Sequence, residues 1–191
     1  MSKLIYLTTN KNKMEEANKF FKEKYGFDLE IMTPDFEILE IQAKTCAEVA
    51  AFSAKYAADK LGFPVLKSDT GLYLDALGGL PGPYNAYFAK QIGSEKFLNL
   101  LKNETNRKAT LEHCFAYCEP NKEPVIFIGS GEGTIAYQET GKLGYWHDKF
   151  FIPDGETMTL SQLREIDYEK EASYWGEAKD QFAKWYIKNN K

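Results

Sequence analysis

Apolar residues along the chain alternate between the spacing of strands and the spacing of helices. Residues 3–8 form a β-type run, and the apolar positions after Asn10 recur on one face of a helix that this asparagine is expected to cap. A second strand is predicted at 29–32. Thr45 and Glu48 then form a capping box, which predicts a second helix. This alternation is typical of an α/β protein.

The same alternation continues to the end of the chain, with longer strands in the second half. An apolar run at 63–66 predicts a buried strand, and a helix is expected to begin at Ser94. Residues 109–118 and 124–137 are joined by a turn and predict a large antiparallel hairpin. The remaining predicted elements are a short strand at 150–152, a helix from 159 and a last helix over 169–188. We therefore expect a mixed sheet.

The composition is ordinary for a soluble globular protein and argues against two classes of partner. The 191 residues carry a net charge of −4 and no long basic tract, so we expect no nucleic-acid binding. No apolar run approaches the length of a membrane span, so we expect no membrane partner. The first residues lack the pattern of a signal peptide. The three cysteines have no metal-type spacing with the two histidines and are expected to be free thiols in a reducing cytoplasm.

The segment 68–88 carries the most evident chemistry. Asp69 comes where the strand at 63–66 is expected to end and a tight turn at Thr70 and Gly71 is expected to begin. Carboxylates at strand ends, beside glycines that let a ligand approach the backbone, are common in metal and phosphate sites. The alternative is that Asp69 only caps its own turn. Asp75, a few residues on, is better explained as a surface or turn acid.

A second candidate site lies where the first strand meets the first helix. Thr8, Asn10 and Lys13 stand at this junction, and Lys11 adds positive charge. Backbone N–H groups at a helix N-terminus lack intrahelical partners, and the helix dipole favours an anion there. The segment lacks the glycines of a P-loop, so it is not a Walker motif. The alternative is an ordinary asparagine cap beside two solvated lysines.

In combination, three motifs resemble the inosine triphosphate pyrophosphatase family. They are Thr8-x-Asn10-x-x-Lys13-x-x-Glu16, the segment EVAAFSAK at 48–55, and SDTGLYLDALGGLPGPY at 68–84. The resemblance spans essentially the whole chain as one domain. It implies an α/β fold with a long, twisted, mixed sheet flanked by helices, and two lobes around a nucleotide cleft. It also implies a homodimer that hydrolyses ITP, dITP and XTP to the monophosphate and pyrophosphate with Mg²⁺.

The resemblance assigns phosphate-side roles residue by residue. It implies that Lys13, Lys55 and Asp69 are catalytic and that Glu40 and Asp69 hold Mg²⁺. The implied phosphate contacts are Thr8, Thr9, Asn10, Lys13, Lys55, Thr70 and Gly71. Two carboxylates with phosphate oxygens and waters suit Mg²⁺, lysines neutralise phosphate charge, and a carboxylate beside the metal can deprotonate water. Ser68 replaces an acid usual in the family, which is expected to weaken metal binding or pass a ligand role to water.

The residues expected to recognise the base depart from the family. Members commonly carry an aromatic residue and an aspartate within a G-F-G-Y-D-P-x-F segment, where the aromatic ring stacks on the purine. This chain has GKLGYWHDKFFIP at 141–153. Two alignments are open: Trp146 and His147 replace the pair, or Asp148 keeps its role while Tyr145 or Trp146 stacks.

A second base-recognition motif is also changed. Ser173, Tyr174 and Trp175 stand where the family has Ser-His-Arg, and Lys170 matches an upstream lysine with the spacing shorter by one. Because an unpaired buried polar group is costly, losing the histidine and arginine predicts a relaxed or altered base preference. The alternative is that Tyr174 and Trp175 are core aromatics of the last helix. The candidate base-binding residues are Trp146, His147, Asp148, Lys170, Tyr174 and Trp175.

Two functional hypotheses follow from the sequence. The first is a Mg²⁺-dependent pyrophosphatase that acts on ITP-like nucleoside triphosphates or on an altered set of bases. The second is a nucleotide-binding protein that has lost turnover. Lys13, Glu40, Lys55 and Asp69 favour the enzyme, because a pure binder has no need of an acid that activates water.

Overall fold

The computed structural model describes residues 4–174 and 176–190, without the side chain of Lys11. The helices are α1 (Lys11–Tyr25), α2 (Cys46–Leu61), α3 (Asn85–Gln91), α4 (Gly93–Leu100), α5 (Leu160–Ile166), α6 (Tyr168–Ser173) and α7 (Gly176–Asn189). The strands are β1 (Ile5–Leu7), β2 (Glu30–Met32), β3 (Val65–Leu74), β4 (Pro81–Gly82), β5 (Lys108–Cys118), β6 (Val125–Ile135) and β7 (Phe151–Pro153). The predicted α/β class is confirmed.

The seven strands of the described residues form a mixed sheet with the order β2-β1-β3-β5-β6-β7, and β4 pairs with β3. β1 runs parallel to β2 and to β3, with Ile5 opposite both Glu30 and Val65. β4 and β7 run antiparallel to β3 and β6 respectively. β5 and β6 are sheet neighbours joined by residues 119–124 alone. This link is too short for a parallel crossover, so the two strands form an antiparallel hairpin.

The chain divides into two units, each with its own core. Among the described residues, unit 1 comprises those within 1–69, 114–128 and 177–191, and unit 2 comprises those within 70–113 and 129–176. No helix in the described parts of the chain is both long and apolar enough to cross a membrane.

Successive strand residues in unit 1 pack on opposite faces of the sheet. Tyr6 and Leu66 lie in a core with Phe21 of α1 and Phe182 of α7. Val65 lies in a second core, against the small side chains of α2. The sheet is thus covered by α1 and α7 on one face and by α2 on the other. Strands buried on both faces have continuous apolar runs, which is the pattern that the sequence shows.

Unit 2 is organised around aromatic side chains. Phe97 of α4 and Phe150 are both fully buried, with ring centroids 5.3 Å apart. Leu72 and Leu74, at the end of β3, pack into the same core with Leu160 of α5. The end of β3 and the segment that precedes β7 are therefore held by one apolar cluster.

The predicted turn at Thr70 and Gly71 is wrong, because β3 continues through both residues to Leu74. A Cβ atom on Gly71 would lie 2.5 Å from the ring of Tyr73, the next residue on the same side of the strand. The glycine therefore makes room for a neighbouring ring within a strand and does not make a turn. The chain turns only at the 3-10 helix Asp75–Leu77, where exposed Asp75 is the turn acid expected.

The predicted single helix over 169–188 is also wrong, since α6 ends at Ser173 and α7 begins at Gly176.

Candidate functional site

The junction of β1 and α1 is an asparagine cap. The Asn10 Oδ1 atom accepts hydrogen bonds from the backbone N–H groups of Asn12 at 3.0 Å and Lys13 at 3.3 Å. The Thr8 Oγ1 atom accepts one from the Asn10 N–H at 3.1 Å. The predicted Asn10 cap is therefore confirmed, and the side chain of Asn10 supplies these two amides with the partner that the helix lacks. An anion here would meet the positive end of the helix dipole, the exposed side chains of Thr9 and Asn10, and the ammonium of Lys13.

The alternation of β3 decides which way each polar residue of the next motif faces. Leu66 packs toward α1 and α7, and Val65 packs toward α2. Lys67 and Asp69 share the α2 face by the period of two, whereas Ser68 faces the other side. The Ser68 Oγ atom accordingly lies 2.6 Å from the hydroxyl of Tyr6.

Ser68 therefore does not stand beside Asp69 as a missing metal ligand. Burial raises the pKa of the Tyr6 hydroxyl well above its ordinary value, so the hydroxyl stays protonated. An acid at position 68 would lie against Tyr6, on the opposite face of β3 from Asp69.

Three charged residues of unit 1, Lys13, Glu40 and Asp69, act electrostatically on Lys67 of β3, and we call these four residues the charged cluster. The Lys13 Nζ atom donates to the backbone oxygen of Ser68 at 3.4 Å. Lys67 is only 9% exposed. Burial lowers the pKa of its ammonium, the charge of Glu40 raises that pKa, Lys13 lowers it and Asp69 raises it. The pKa of Lys67 is lowered on balance, because burial outweighs the two carboxylates. Lys67 was missed because the strand was predicted to end at residue 66.

The structure does not bring Lys55 to this cluster. Its Nζ atom donates to the backbone oxygen of Lys122 at 2.9 Å and pairs with Glu123 at 3.1 Å. The face of α2 that meets the segment preceding Glu40 is that of Ser53, whose hydroxyl donates to the backbone oxygen of Leu39 at 3.1 Å. Two positions along an α-helix differ by about 200°, so Lys55 points well away from that face.

The donor set of the cluster fits Mg²⁺. Within the described residues, no group of three or more His, Cys, Asp or Glu side chains is arranged to hold a metal ion. The cluster contains two carboxylates, those of Glu40 and Asp69, and Glu40 is exposed. Mg²⁺ is usually bound by one or two carboxylates together with substrate phosphates and water, so a sparse oxygen-only site suits this ion.

In unit 2, His147 and Asp148 are buried within a short 3-10 turn. The Asp148 Oδ2 atom accepts a hydrogen bond from the Tyr145 N–H at 2.7 Å, and its Oδ1 atom lies 3.3 Å from the His147 Nε2 atom. The His147 Nδ1 atom lies 2.7 Å from the Asn85 amide. The ring of Tyr145 stacks on that of His147 at 5.7 Å. In this conformation the Asp148 carboxylate stabilises the turn in which it lies.

Gly144 is required for this turn. Its φ of +88° belongs to the left-handed region, and a Cβ atom would overlap the Asp148 carboxylate.

Trp146 packs into the core of unit 2. Its ring centroid lies 4.9 Å from that of Phe97 and 4.8 Å from that of Phe150. Its Nε1 atom is buried and makes no hydrogen bond with any described residue. Trp146, a candidate for stacking on the base, thus has core residues as its neighbours in this structure.

Lys170 and Tyr174 converge on a residue that sequence reasoning missed. The Glu156 Oε1 atom accepts a hydrogen bond from the Tyr174 hydroxyl at 2.8 Å and pairs with the Lys170 Nζ atom at 2.7 Å. Hydrogen bonds from Lys170 and then Tyr174 lower the pKa of Glu156, which favours its carboxylate form. No local pattern marks Glu156, because both partners come from a later segment. Trp175 lies outside the described residues.

Comparison with known proteins places these features in a family. The Ham1 family model matches residues 4–185. The chain is 40% identical to the dITP/XTP pyrophosphatase of Methanopyrus kandleri over 188 residues, which are 98% of this chain and 97% of that protein. It is 35% identical to the dITP/XTP pyrophosphatase of Methanosarcina mazei over 187 residues, which are 98% of each protein. It resembles the solved structure of the Staphylococcus aureus Ham1 protein, with a TM-score of 0.81, 27% identity and coverage of 98% and 100%.

Proposed function

The chain belongs to the Ham1 family, and from this premise we propose that it hydrolyses deaminated purine nucleoside triphosphates to monophosphate and pyrophosphate. The proposed substrates are dITP, ITP and XTP, and the proposed cofactor is Mg²⁺. The names of its relatives support the reaction and the substrates. The observation in the structure that supports the proposal is the charged cluster: Lys13 of α1 donates to the backbone of Ser68, beside Asp69, and Lys13, Glu40 and Asp69 act electrostatically on Lys67.

The phosphate chain would be held by cationic and polar groups of unit 1. Lys13 reaches from α1 to β3, which places its ammonium beside the strand that carries Asp69. Thr8, Thr9 and Asn10 line the start of α1, where the helix dipole favours an anion. Several negative charges on a triphosphate repel an attacking water until they are neutralised. Thr70 and Gly71, which follow Asp69 on β3, remain predicted phosphate contacts.

Glu40 and Asp69 would hold Mg²⁺, which would neutralise phosphate charge and acidify bound water. Asp69 would also act as the general base. Its carboxylate would take the proton of a water whose oxygen bonds to the α-phosphorus. The bond from that phosphorus to the α–β bridging oxygen would break, and pyrophosphate would leave with the bonding electron pair. Lys13 would offset the charge that develops on the leaving group.

We propose that base discrimination is weaker than in a family member with the His-Arg pair. Tyr174 hydrogen-bonds to Glu156 and packs in the core of unit 2, so its hydroxyl is already committed. Lys170 is committed to the same carboxylate. Tyr145, His147 and Asp148 form one hydrogen-bonded and stacked turn and remain candidates for the base edge.

The family resemblance also suggests a homodimer in the cytoplasm. The three cysteines are free thiols, which suits a reducing compartment. The mass of the purified protein by light scattering tests the dimer directly: twice the chain mass supports it, and the mass of a single chain contradicts it.

A nucleotide panel tests the function. Pyrophosphate release would be measured with dITP, ITP, XTP, ATP, GTP and dCTP, in Mg²⁺ and in EDTA. The proposal predicts release from the deaminated purines that EDTA abolishes. Tight nucleotide binding without release from any substrate would instead identify a binding protein and overturn the enzyme.

A further inference from the structure

We propose that Lys67 is a phosphate-binding residue whose ammonium contacts the phosphate chain directly from the α2 face of β3. This inference rests on the proposed function and adds a residue to its site. The chemistry that it recognises is a polyphosphate anion, and it requires neither the sugar nor the base of the nucleotide.

The position of Lys67 is unusual for a lysine. It follows two fully buried strand residues, Val65 and Leu66, and its own exposure is 9%. Lysines are rarely buried to this extent without an ion pair. Within the described residues, Lys67 nevertheless makes no hydrogen bond or salt bridge, and its nitrogen is not sealed from solvent. The stem is thus buried against the protein while the ammonium opens toward solvent.

The direction of the side chain places this ammonium at the proposed phosphate site. Residues two apart on a strand lie on the same face, so Lys67 and Asp69 are neighbours about 7 Å apart along β3. The charges that act on Lys67 are those of Glu40, Lys13 and Asp69. All three are residues that the proposed function assigns to metal or phosphate binding.

The charges around Lys67 explain why this lysine is suited to bind an anion. Lys13 and Lys67 repel each other, and Glu40 and Asp69 offset that repulsion. If the two carboxylates bind a divalent cation, they no longer neutralise the lysines. Phosphate oxygens are then the counter-charge available to both ammonium groups, because neither is held by a carboxylate ion pair elsewhere among the described residues.

The test uses inorganic tripolyphosphate, which carries the phosphate chain without a nucleoside. Its affinity would be measured by titration calorimetry in excess Mg²⁺ for the wild-type protein, Lys67→Met, Lys67→Arg and the control Lys96→Met. Lys96 is an exposed lysine of α4 in unit 2. Methionine keeps most of the buried stem and removes only the charge, so the variant is expected to fold, and Lys67→Gln provides a second neutral variant.

Loss of one charged phosphate contact is expected to weaken tripolyphosphate binding about tenfold in Lys67→Met. Lys67→Arg should stay within about threefold of wild type and Lys96→Met should be unchanged. A folded Lys67→Met or Lys67→Gln protein that binds within twofold of wild type overturns the inference and leaves the proposed function standing. A wild-type protein that neither binds tripolyphosphate nor releases pyrophosphate from nucleotides overturns both.

Discussion

Replacement of Trp146 tests whether this residue is part of the core or stacks on the base. In the structure the centroid of its indole lies 4.9 Å from the ring centroid of Phe97 and 4.8 Å from that of Phe150. Both phenylalanines are fully buried. Truncation of a buried aromatic to alanine costs about 3–5 kcal/mol, and the partial exposure of this indole favours the lower figure. At about 2–4 °C per kcal/mol for a chain of this size, Trp146→Ala should lower Tm by about 6–12 °C.

Two further variants calibrate this loss. Trp146→Phe keeps an aromatic ring and removes a buried N–H that makes no hydrogen bond with any described residue, so it should cost less than half as much. Tyr87→Ala removes a ring that is 62% exposed in the same unit and should shift Tm by less than about 2 °C.

Thermal unfolding would be followed by circular dichroism, and kcat/KM for XTP would be measured at 25 °C. Trp146→Ala should keep kcat/KM within a few-fold of wild type once its lower Tm is taken into account. An unchanged Tm with a more than tenfold loss of kcat/KM would refute the core assignment and place the indole on the nucleotide.

The other predictions concern the two ends of the nucleotide. Lys13→Met should raise KM for XTP by about tenfold or more. Lys55→Met should change KM less than threefold, because Lys55 is held at Lys122 and Glu123. An equal rise in KM for the two variants would return Lys55 to the phosphate site. Tyr174→His combined with Trp175→Arg should raise the ratio of kcat/KM for XTP to kcat/KM for ATP. If this ratio is unchanged or lower while Tm stays near that of the wild type, the proposed origin of weak base discrimination is contradicted.

Helix boundaries could be predicted from the sequence where local chemistry fixes them. The capping box of Thr45 and Glu48 and the cap of Asn10 both form as expected, because each depends on residues three apart or fewer. The strand conformation of Gly71 could not be predicted, because a glycine within a strand and a glycine in a turn look alike in sequence. Only the packing of Tyr73 distinguishes them.

The candidate site could be predicted in its residues more than in its arrangement. Lys13 reaches the backbone of Ser68, the residue before Asp69, but the strand that orients Asp69 is longer than predicted. Lys55 and Ser53 differ in helical phase, which is set by how α2 packs and is not visible in a motif. The contacts of Glu156 join segments that are distant in sequence, so no local pattern could have identified them.

The central claim is that Asp69 activates water for cleavage between the α- and β-phosphates. It is tested most directly by phosphorus-31 NMR of XTP incubated with Mg²⁺ and either wild-type protein or Asp69→Asn. The wild type should give xanthosine monophosphate and pyrophosphate in equal amounts. Asp69→Asn conserves shape but loses charge and basicity, so it should keep its Tm and lose about 10²-fold or more of the turnover. Orthophosphate and a diphosphate as first products, or a variant within a few-fold of wild type, would contradict the account.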